Sequence, residues 1–509
     1  MNTDDLILTF DIGTTGNKCT IFDSAGRKMF AETVEYGTIY PKPGWAEQKP
    51  EDFWSSVVTG TKRLLEKSGV NPSKIAVIGL SGHMNGCIPL DGSGEALYND
   101  IIHSDSRSDE ECKMISRIFD NSQVYNITGN RIDPHYTLPK ILWLKNNYPD
   151  VYKSTAYFVH SKDYISYKLT GNLGITDFSD ASLTCALDIK NKRWSEELLK
   201  GLGVDIKKFP ELRKSTDIAG RLSDEAAAAL GLRAGIPVVV GGGDAACATK
   251  GAGVMEKGQT YNYIGSSSWV STLNDAPLLD KGRRVLNFYD LDGENCNVCG
   301  TVQCATISYD WVLNNIAKFE VEGAKKTGEN VFDLIDGIAA QVPAGSNGVF
   351  FLPYLMGERT PYWDKNTKGA FIGFTLFNSR EDLFRATYEG IAYALRSVID
   401  VLEENGLNID QLTLIGGGAK SRLWNDIMCN VFGKPLRIHK FPREATSLGA
   451  AVAAGVGVGI FKDFKSAAVE YDRECQPDSQ MVEVYNKHYA IYKAMYPCLK
   501  PVFDGIAGL

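Results

Sequence analysis

The chain has 509 residues, of which 44% are hydrophobic and 23% are charged, and this composition excludes a largely disordered protein. The net charge is −8, from 54 basic and 62 acidic residues, so we expect no nucleic acid as a partner, because an acidic surface repels phosphate backbones. The length allows two large domains or three smaller ones.

Strand-like and helical segments alternate along the chain. The predicted elements, in order, are a strand at 6–13 with its hairpin partner at 17–26, a helix at 51–67, a buried strand at 75–82, a short helix at 226–230 and an apolar strand at 236–240. This order predicts an α/β fold in which mixed sheets are covered by helices.

Targeting signals are weak in this sequence. The N-terminus lacks the basic and apolar regions of a signal peptide, and the apolar run at 448–461 is too short to span a membrane. Eleven scattered cysteines show no disulfide framework. We therefore predict a cytoplasmic protein with reduced thiols and no membrane partner.

The two halves of the chain contain the same strand–turn motif. Residues 10–15 (FDIGTT) form a strand that enters a turn rich in glycine and hydroxyls, and residues 263–268 (YIGSSS) do the same about half a chain later. A glycine-rich stretch at 251–253 separates the halves. The sequence thus predicts two domains, at 1–252 and 253–509.

The repeated turns suit phosphate binding. Backbone N–H groups and hydroxyls in such turns bind phosphate oxygens, although a plain polar hairpin is the alternative. Asp11 ends the first strand, where a carboxylate can hold Mg²⁺ together with substrate phosphates. The predicted phosphate-binding residues are Gly13, Thr14 and Thr15 in the first turn, and Gly265, Ser266 and Ser267 in the second.

Two further turns follow predicted strands. Gly416, Gly417 and Gly418 lie between a strand at 412–415 and a helix at 421–432, where a nucleotide can approach the backbone. Asp244 follows three glycines after the strand at 236–240. It is a candidate general base for phosphoryl transfer, with a helix N-cap as the alternative interpretation.

Longer motifs give the chain a resemblance to a known family. Residues 135–147 (HYTLPKILWLKNN) match the first signature of the FGGY carbohydrate kinases except at His135, and residues 369–389 match the second except at Phe374. The segments 44–54 (GWAEQKPEDFW) and 357–361 (GERTP) resemble those of xylulokinases within that family. Together the motifs extend from Asp11 to about residue 455.

This resemblance implies two actin-like (ribonuclease H-like) ATPase domains with a deep cleft between them. The N-terminal domain would hold the sugar and the C-terminal domain most of the ATP. Mg-ATP would donate its γ-phosphate to a sugar hydroxyl, with Asp244 as the base and Asp11 at the metal. A homodimer is the family expectation.

The resemblance also implies roles for single residues. Gly416, Gly417 and Gly418 would face the adenosine, and Gly300 would lie where a helix of the second domain begins near ATP. The predicted sugar-binding residues are His83, Met84, Asn85, His103, Asp105 and Asp244. Asp105 and Arg107 match the family's W-x-D-x-R segment, with His103 in place of the tryptophan.

Departures from the xylulokinase pattern leave the sugar open. Xylulokinases carry Gln-Met-His-Gly where this chain has His83-Met84-Asn85-Gly86, and Ala245 follows the predicted base where they often have asparagine. D-Xylulose is the first expectation, with gluconate, ribulose, fuculose, rhamnulose and glycerol as alternatives. A chaperone or filament ATPase and an inactive sugar-binding protein are alternatives of other classes, disfavoured by both signatures and by the intact Asp11 and Asp244.

Overall fold

A computed structural model describes residues 5–509; residues 1–4, at the acidic N-terminus, lie outside the described residues. Two mixed seven-stranded sheets, one in each half of the chain, form the frame of the molecule. Among the described residues, no helix is long and apolar enough to cross a membrane.

The first half contains short strands and helices in alternation. Its strands are β1 (Leu6–Ile12), β2 (Gly16–Phe22), β3 (Lys28–Glu35), β4 (Glu47–Gln48), β5 (Ile75–Gly82), β6 (Ile88–Leu90), β7 (Asp100–Ile101), β8 (Tyr157–Val159), β9 (Ile175–Asp177), β10 (Leu187–Asp188), β11 (Arg193–Trp194), β12 (Glu211–Arg213), β13 (Ile218–Arg221), β14 (Pro237–Val239) and β15 (Gly242–Gly243). Its helices are α1 (Pro50–Ser68), α2 (Asp109–Ile118), α3 (Asn121–Thr128), α4 (Thr137–Asn147), α5 (Pro149–Ser154), α6 (Ser161–Thr170), α7 (Phe178–Ser182), α8 (Glu196–Gly201), α9 (Asp224–Leu230) and α10 (Asp244–Gly251).

The second half has longer helices. Its strands are β16 (Thr260–Ile264), β17 (Ser268–Asn274), β18 (Leu286–Tyr289), β19 (Cys296–Val302), β20 (Phe350–Leu352), β21 (Ala370–Ile372), β22 (Leu412–Ile415), β23 (Leu436–His439) and β24 (Tyr471–Cys475). Its helices are α11 (Thr306–Asn315), α12 (Lys318–Thr327), α13 (Val331–Ala340), α14 (Arg380–Glu404), α15 (Arg422–Phe432), α16 (Ala445–Gly457) and α17 (Ser479–Ala507).

The two sheets share a pattern of pairing. The first has the order β13-β14-β5-β1-β2-β3, with β15 beside β5, and the second has the order β18-β19-β17-β16-β22-β23-β24. In each, a hairpin (β1–β2, β16–β17) lies beside a parallel strand from later in the chain (β5, β22). This shared arrangement confirms the predicted α/β, actin-like fold class.

Local sequence explains the elements that the apolar pattern predicted. Helix α1 begins with Pro50 at its first position and with acidic residues in its first turn, and it ends at Gly69 in the left-handed conformation (φ 64°). Strands β1 and β5 are almost wholly buried, which is why they appear as continuous apolar runs. The predicted helix and both strands are therefore confirmed.

Helix α16 belongs to the second half of the sequence but packs on the first sheet. Leu448, Ala451 and Val452 lie in one apolar cluster with Ile7 of β1 and Val77 of β5. The helix also crosses α10 with almost no space between the backbones. A β-carbon at Gly251 would lie 1.7 Å from the carbonyl oxygen of Ala445, and one at Gly449 would lie 1.8 Å from that of Cys247. Only glycine fits at these two positions.

Candidate active site

The ends of three neighbouring strands bring the two predicted carboxylates to one place. Asp11 on β1 pairs with Ser81 on β5, and Gly243 on β15 pairs with Gly82 at the end of β5. Asp244 follows Gly243 directly and begins α10. Because parallel strands end at the same edge of a sheet, both side chains lie at this edge.

Asp244 is the first residue of α10 and does not cap it. The N-cap is Gly243, and no side-chain cap hydrogen bond is formed, so the N-cap interpretation is wrong. Burial, together with the charges of Asp11 and Asp180, raises the pKa of Asp244 to about 8. The side chain remains partly exposed. Asp244 is therefore a carboxyl group with a pKa near neutrality on a partly exposed residue.

Asp11 lies between a cation and a hydroxyl. Burial raises its pKa, whereas the charge of Lys18 across the hairpin and a hydrogen bond with Ser81 lower it. The Lys18 ammonium donates to the backbone carbonyl of Arg443, which belongs to the other half of the chain. Asp11 thus lies where the two halves meet.

The two hydroxyl-rich turns are hairpin turns with exposed tips. In the first, the N–H of Gly13 donates to the carbonyl of Gly16, and Thr15 is exposed. In the second, the N–H of Gly265 donates to the carbonyl of Ser267, and Ser266 is exposed. Each turn therefore has a hydroxyl-bearing residue at the protein surface.

The second turn is tied to the carboxylates through Tyr261 and Tyr263 on β16. The Tyr261 hydroxyl donates to the carbonyl of Ala245 at 2.9 Å, next to Asp244. Tyr263 stacks on Trp269 at 4.0 Å between ring centroids, and its pKa is raised to about 12 by burial and by the charges of Asp244 and Asp11. The phenol is therefore a neutral donor close to both carboxylates.

The triple-glycine turn lies against the end of β16. Gly416 has φ 88°, and a β-carbon there would lie 2.5 Å from the carbonyl oxygen of Ile264, so the turn requires glycine. A β-carbon at Gly418 would clash with Ile264 and Trp424, whereas a β-carbon at Gly417 would lie 3.7 Å from the Arg443 guanidinium. The second turn, the triple glycine and Arg443 are therefore neighbours.

The structure corrects the position of Gly300. This glycine is buried within β19, and a β-carbon there would lie 2.5 Å from Val398 of α14. It does not begin a helix, because β19 continues to Val302. The helix that begins near the second turn is α11: the N–H groups of Ala305 and Thr306 donate to the carbonyls of Ser266 and Gly265.

The loop after β5 contains the predicted sugar-binding residues. Met84 packs against Gly243, where a β-carbon would lie 2.6 Å from the side chain, so Met84 is next to Asp244. Asn85 has φ 66°, a conformation that asparagine tolerates, and its buried side-chain oxygen has no hydrogen-bond partner within residues 5–509. Asn85 is therefore able to accept a donor from a ligand.

His83 lies deeper than the sequence predicts. Its ring is 1% exposed, and Nε2 lies 3.5 Å from Oδ2 of Asp100, which is itself fully buried. Burial lowers the pKa of His83 to about 3 and raises that of Asp100 to about 6. The imidazole of His83 is thus neutral and buried, whereas His103, 6.2 Å from it between ring centroids, is partly exposed.

Asp105 is corrected as a sugar ligand. Its buried carboxylate accepts hydrogen bonds from the N–H of Ala46 at 2.6 Å and from the backbone and guanidinium of Arg107. Arg107 also pairs with Glu47 at 2.7 Å and stacks on Trp45. These donors occupy both oxygens of Asp105, so its role is to hold the segment that contains His103.

Arg359, in the GERTP segment of the second half, faces the same region. Its charge lowers the pKa of His103 and that of Asp133, which shows that the guanidinium is near both. Among residues 5–509 the guanidinium makes no hydrogen bond and no ion pair within 4.0 Å. Arg359 is therefore a free cation near His103.

A second buried acidic cluster is already neutralised by a lysine. The side chains of His160, Asp163 and Asp180 approach one another closely enough to hold a metal ion. The ammonium of Lys162 lies 2.5 Å from Asp163, 3.0 Å from Asp177 and 3.1 Å from Asp180. This ammonium supplies the positive charge that the carboxylates require.

Comparison with known proteins agrees with this architecture. The N-terminal domain model of the FGGY family of carbohydrate kinases matches residues 6–251, and the C-terminal domain model matches residues 260–458. The chain is 31% identical to the xylulose kinase of Bacillus subtilis over 494 residues, which cover 96% of each chain. The chain belongs to the FGGY family of carbohydrate kinases. It is a sugar kinase, and ATP is the phosphate donor in this family.

Other FGGY kinases are almost as similar. The gluconokinase of Bacillus subtilis is 29% identical over 508 residues, covering 99% of this chain and 96% of that protein. The ligand-bound crystal structure of xylulose kinase from Lactobacillus acidophilus superposes with a TM-score of 0.90 at 26% identity, covering 99% of this chain and 100% of that one. Similarity therefore shows the FGGY family without distinguishing between these two sugars.

Several residues of this FGGY kinase site escaped the sequence reasoning. Asp100, Lys140, Tyr263, Arg359 and Arg443 all lie near the predicted site residues in the structure. Three of them lie in motifs visible in the sequence: Lys140 in the first family signature, Tyr263 in the repeated segment 263–268 and Arg359 in GERTP. Their roles depend on contacts between segments distant in sequence, which no local pattern reveals.

Proposed function

We propose that this protein is an ATP-dependent ketose kinase that transfers the γ-phosphate of ATP to a hydroxyl of D-xylulose. The observation that carries the proposal is Asp244. This partly exposed residue does not cap helix α10, its carboxyl group has a pKa near neutrality, and it lies beside Asp11. A general base works best when its pKa lies near the working pH. An actin-like ATPase that acts only as a switch has no need of such a base.

Asp244 takes the proton of the attacking sugar hydroxyl. The two hydroxyl-rich turns offer N–H groups and hydroxyls to the phosphates, and the triple glycine offers an open surface to the nucleoside. Phosphoryl transfer asks little covalent chemistry of a protein, so positioning and charge stabilisation account for most of the rate. Met84 and Asn85 hold the sugar next to Asp244 in this proposal.

The residues at Asp11 fit a magnesium ion. Mg²⁺ prefers oxygen ligands and is held by one or two carboxylates together with substrate phosphates. Asp11 is an oxygen donor whose charge raises the pKa of Asp244, so positive charge here would favour both ionised carboxylates. When bound, Mg²⁺ would neutralise the charge that develops on the transferred phosphoryl group.

The inner part of the sugar pocket supports a neutral substrate. His83 and His103 have pKa values lowered by burial, so both are uncharged at neutral pH. The unpartnered side-chain oxygen of Asn85 is an acceptor, which matches a hydroxyl donor. A ketose supplies hydroxyl donors, and unlike an aldonic acid it places no carboxylate near Asp100.

D-Gluconate is the second candidate, and Arg359 is the observation that favours it. A free guanidinium near His103 can pair with the carboxylate of an aldonic acid. The similarity of the chain to a gluconokinase agrees with this alternative. Turnover with ATP and a panel of D-xylulose, D-ribulose, L-fuculose, L-rhamnulose, D-gluconate and glycerol tests both candidates. The highest kcat/KM for gluconate or glycerol would contradict the ketose proposal, and no turnover of any sugar would contradict the proposed activity.

A further inference from the structure

Lys140, on α4, has no part in the proposed chemistry, yet its ammonium is fully buried and forms three hydrogen bonds. It donates to the backbone carbonyls of Asn85 at 2.6 Å, Ile102 at 2.9 Å and His135 at 2.8 Å. An ammonium has three donors, so these acceptors use all of them. Within residues 5–509, no carboxylate lies within 4.0 Å of this nitrogen.

The three carbonyls belong to three different segments around the sugar pocket. Asn85 lies in the loop after β5, Ile102 precedes His103, and His135 precedes α4. The loop conformation depends on this contact, because Asn85 has φ 66° and presents a side-chain oxygen that lacks a partner in the described chain. One ammonium therefore joins the backbones of the segments that would contact the sugar.

We propose that Lys140 is a positioning residue of the sugar site: its ammonium holds the loop at Asn85 and the segment at His103 in the arrangement that binds the sugar. This role rests on the proposed function. It requires the protonated form, because a neutral amine has two donors and a lone pair, which repels the third carbonyl. A buried ammonium bonded only to neutral carbonyls is costly, and its three bonds fix the relative positions of three segments that carry the predicted sugar-binding residues.

The ammonium is poised to lose its proton at moderately alkaline pH. Burial lowers the pKa of Lys140 to about 8, against the opposing effect of the surrounding acids Asp105, Asp100, Cys87 and Asp133. The other titratable groups that feel its charge are His83 and His103, and both are already neutral in this range. Sugar affinity should therefore weaken as the pH rises through about 8.

The test measures sugar binding in the Asp244→Asn background, which removes the titration of the base from the same pH range. Binding of D-xylulose, or of D-gluconate if it is the better substrate, is measured by calorimetry between pH 6.5 and 9.5. We expect Lys140→Gln to weaken sugar binding at pH 7 by ~10-fold or more, the effect of losing a hydrogen bond to a charged group, with little change for ATP. We also expect affinity to fall above pH 8 with Lys140 present and to be nearly independent of pH in Lys140→Gln.

Lys145 on the same helix provides a matched control. Its ammonium also donates to backbone carbonyls, those of Leu202 and Gly203, but away from the sugar loop. Lys145→Gln should leave sugar affinity and its pH profile unchanged. The comparison with Lys140→Gln also distinguishes the titration of Lys140 from that of Glu358, a buried acid whose pKa is raised to about 8.

Each outcome decides a separate point. Equal sugar affinity in Lys140→Gln and its parent, while the wild type phosphorylates the sugar, would overturn the role of Lys140 alone. No phosphorylation of any panel sugar by the wild type would overturn the proposed function and this role with it. Should Lys140→Gln fail to fold, the pH profile of the parent decides, and a flat profile from pH 7 to 9.5 would overturn the proposal.

Discussion

The charge of Asp11 raises the pKa of Asp244, although the two residues are 233 positions apart in the sequence. Strand β5 brings them together, because it pairs with β1 on one side and with β15 on the other. A carboxyl group beside a second carboxylate loses its proton less readily, and once ionised it has a higher affinity for a proton. That is the property required of a group that accepts a hydroxyl proton near neutral pH.

The first prediction concerns the rate. Asp244→Asn keeps the size of the side chain but removes the base, so kcat should fall by ~10²–10⁴-fold. Sugar affinity, measured by calorimetry, should change little. Asp224→Asn is a matched control, since Asp224 is also the first residue of a helix but is exposed and caps nothing. Retention of more than about a third of wild-type kcat would remove Asp244 from the mechanism.

The second prediction concerns stability and its dependence on pH. The pKa of Asp244 is raised to about 8 in the folded state from the ordinary value of 3.8, so folding favours the protonated form. The folded protein therefore loses stability relative to the unfolded chain as the pH rises from about 4 to 8. Asp244→Asn lacks this loss. Its melting temperature should exceed that of the wild type at pH 8, and the difference should shrink toward pH 5; a constant difference would contradict the assigned shift.

The third prediction concerns Asn85. Its side-chain oxygen is buried without a partner among the described residues, so it is available to a sugar hydroxyl. Asn85→Ala should raise the KM for the sugar by ~10-fold or more and leave the KM for ATP nearly unchanged. Because position 85 has φ 66°, Asn85→Gly separates the loss of the amide from backbone strain. Equal effects on both KM values would exclude this loop from the sugar site.

The fourth prediction distinguishes an acidic from a neutral sugar. Arg359 is a free cation near His103, and a guanidinium pairs strongly with a carboxylate. Arg359→Met should therefore raise the KM for D-gluconate by ~10-fold more than the KM for D-xylulose. Arg437→Met, which removes an exposed arginine paired with Glu474, should affect neither. An equal rise in KM for both sugars would show that Arg359 does not bind the carboxylate of gluconate.

Local patterns in the sequence predicted the strands and turns that carry the site. The apolar runs of β1 and β5 and the glycines before Asp244 are each contained within about ten residues, and each formed the expected element. Gly300 was misplaced for a different reason. Its position was transferred from the family resemblance and not from the local pattern, and the pairing of β19 with β17 shows that the strand continues past it.

The remaining contacts of the site depend on long-range packing. Lys140 reaches the carbonyl of Asn85 across 55 positions, and Asp105 reaches the N–H of Ala46 across 59. The acceptor is a backbone group in the first case, and the donor is one in the second. A backbone group has the same chemistry in every residue, so the sequence contains no sign of which one a side chain will meet.

The close crossing of α10 and α16 has a geometric consequence for Asp244. Near the contact of Gly251 with Ala445, the chain leaves the first half for the second and later returns to it, so both connections pass through one small region. The backbones are in contact at this crossing, so a rotation of one half against the other that pivots there would leave the contact in place. Asp244 stands at the opposite end of α10, about 10 Å from the pivot at 1.5 Å per residue. In such a rotation the parts of each half far from the crossing would move by large distances, whereas Asp244, close to the pivot, would move little.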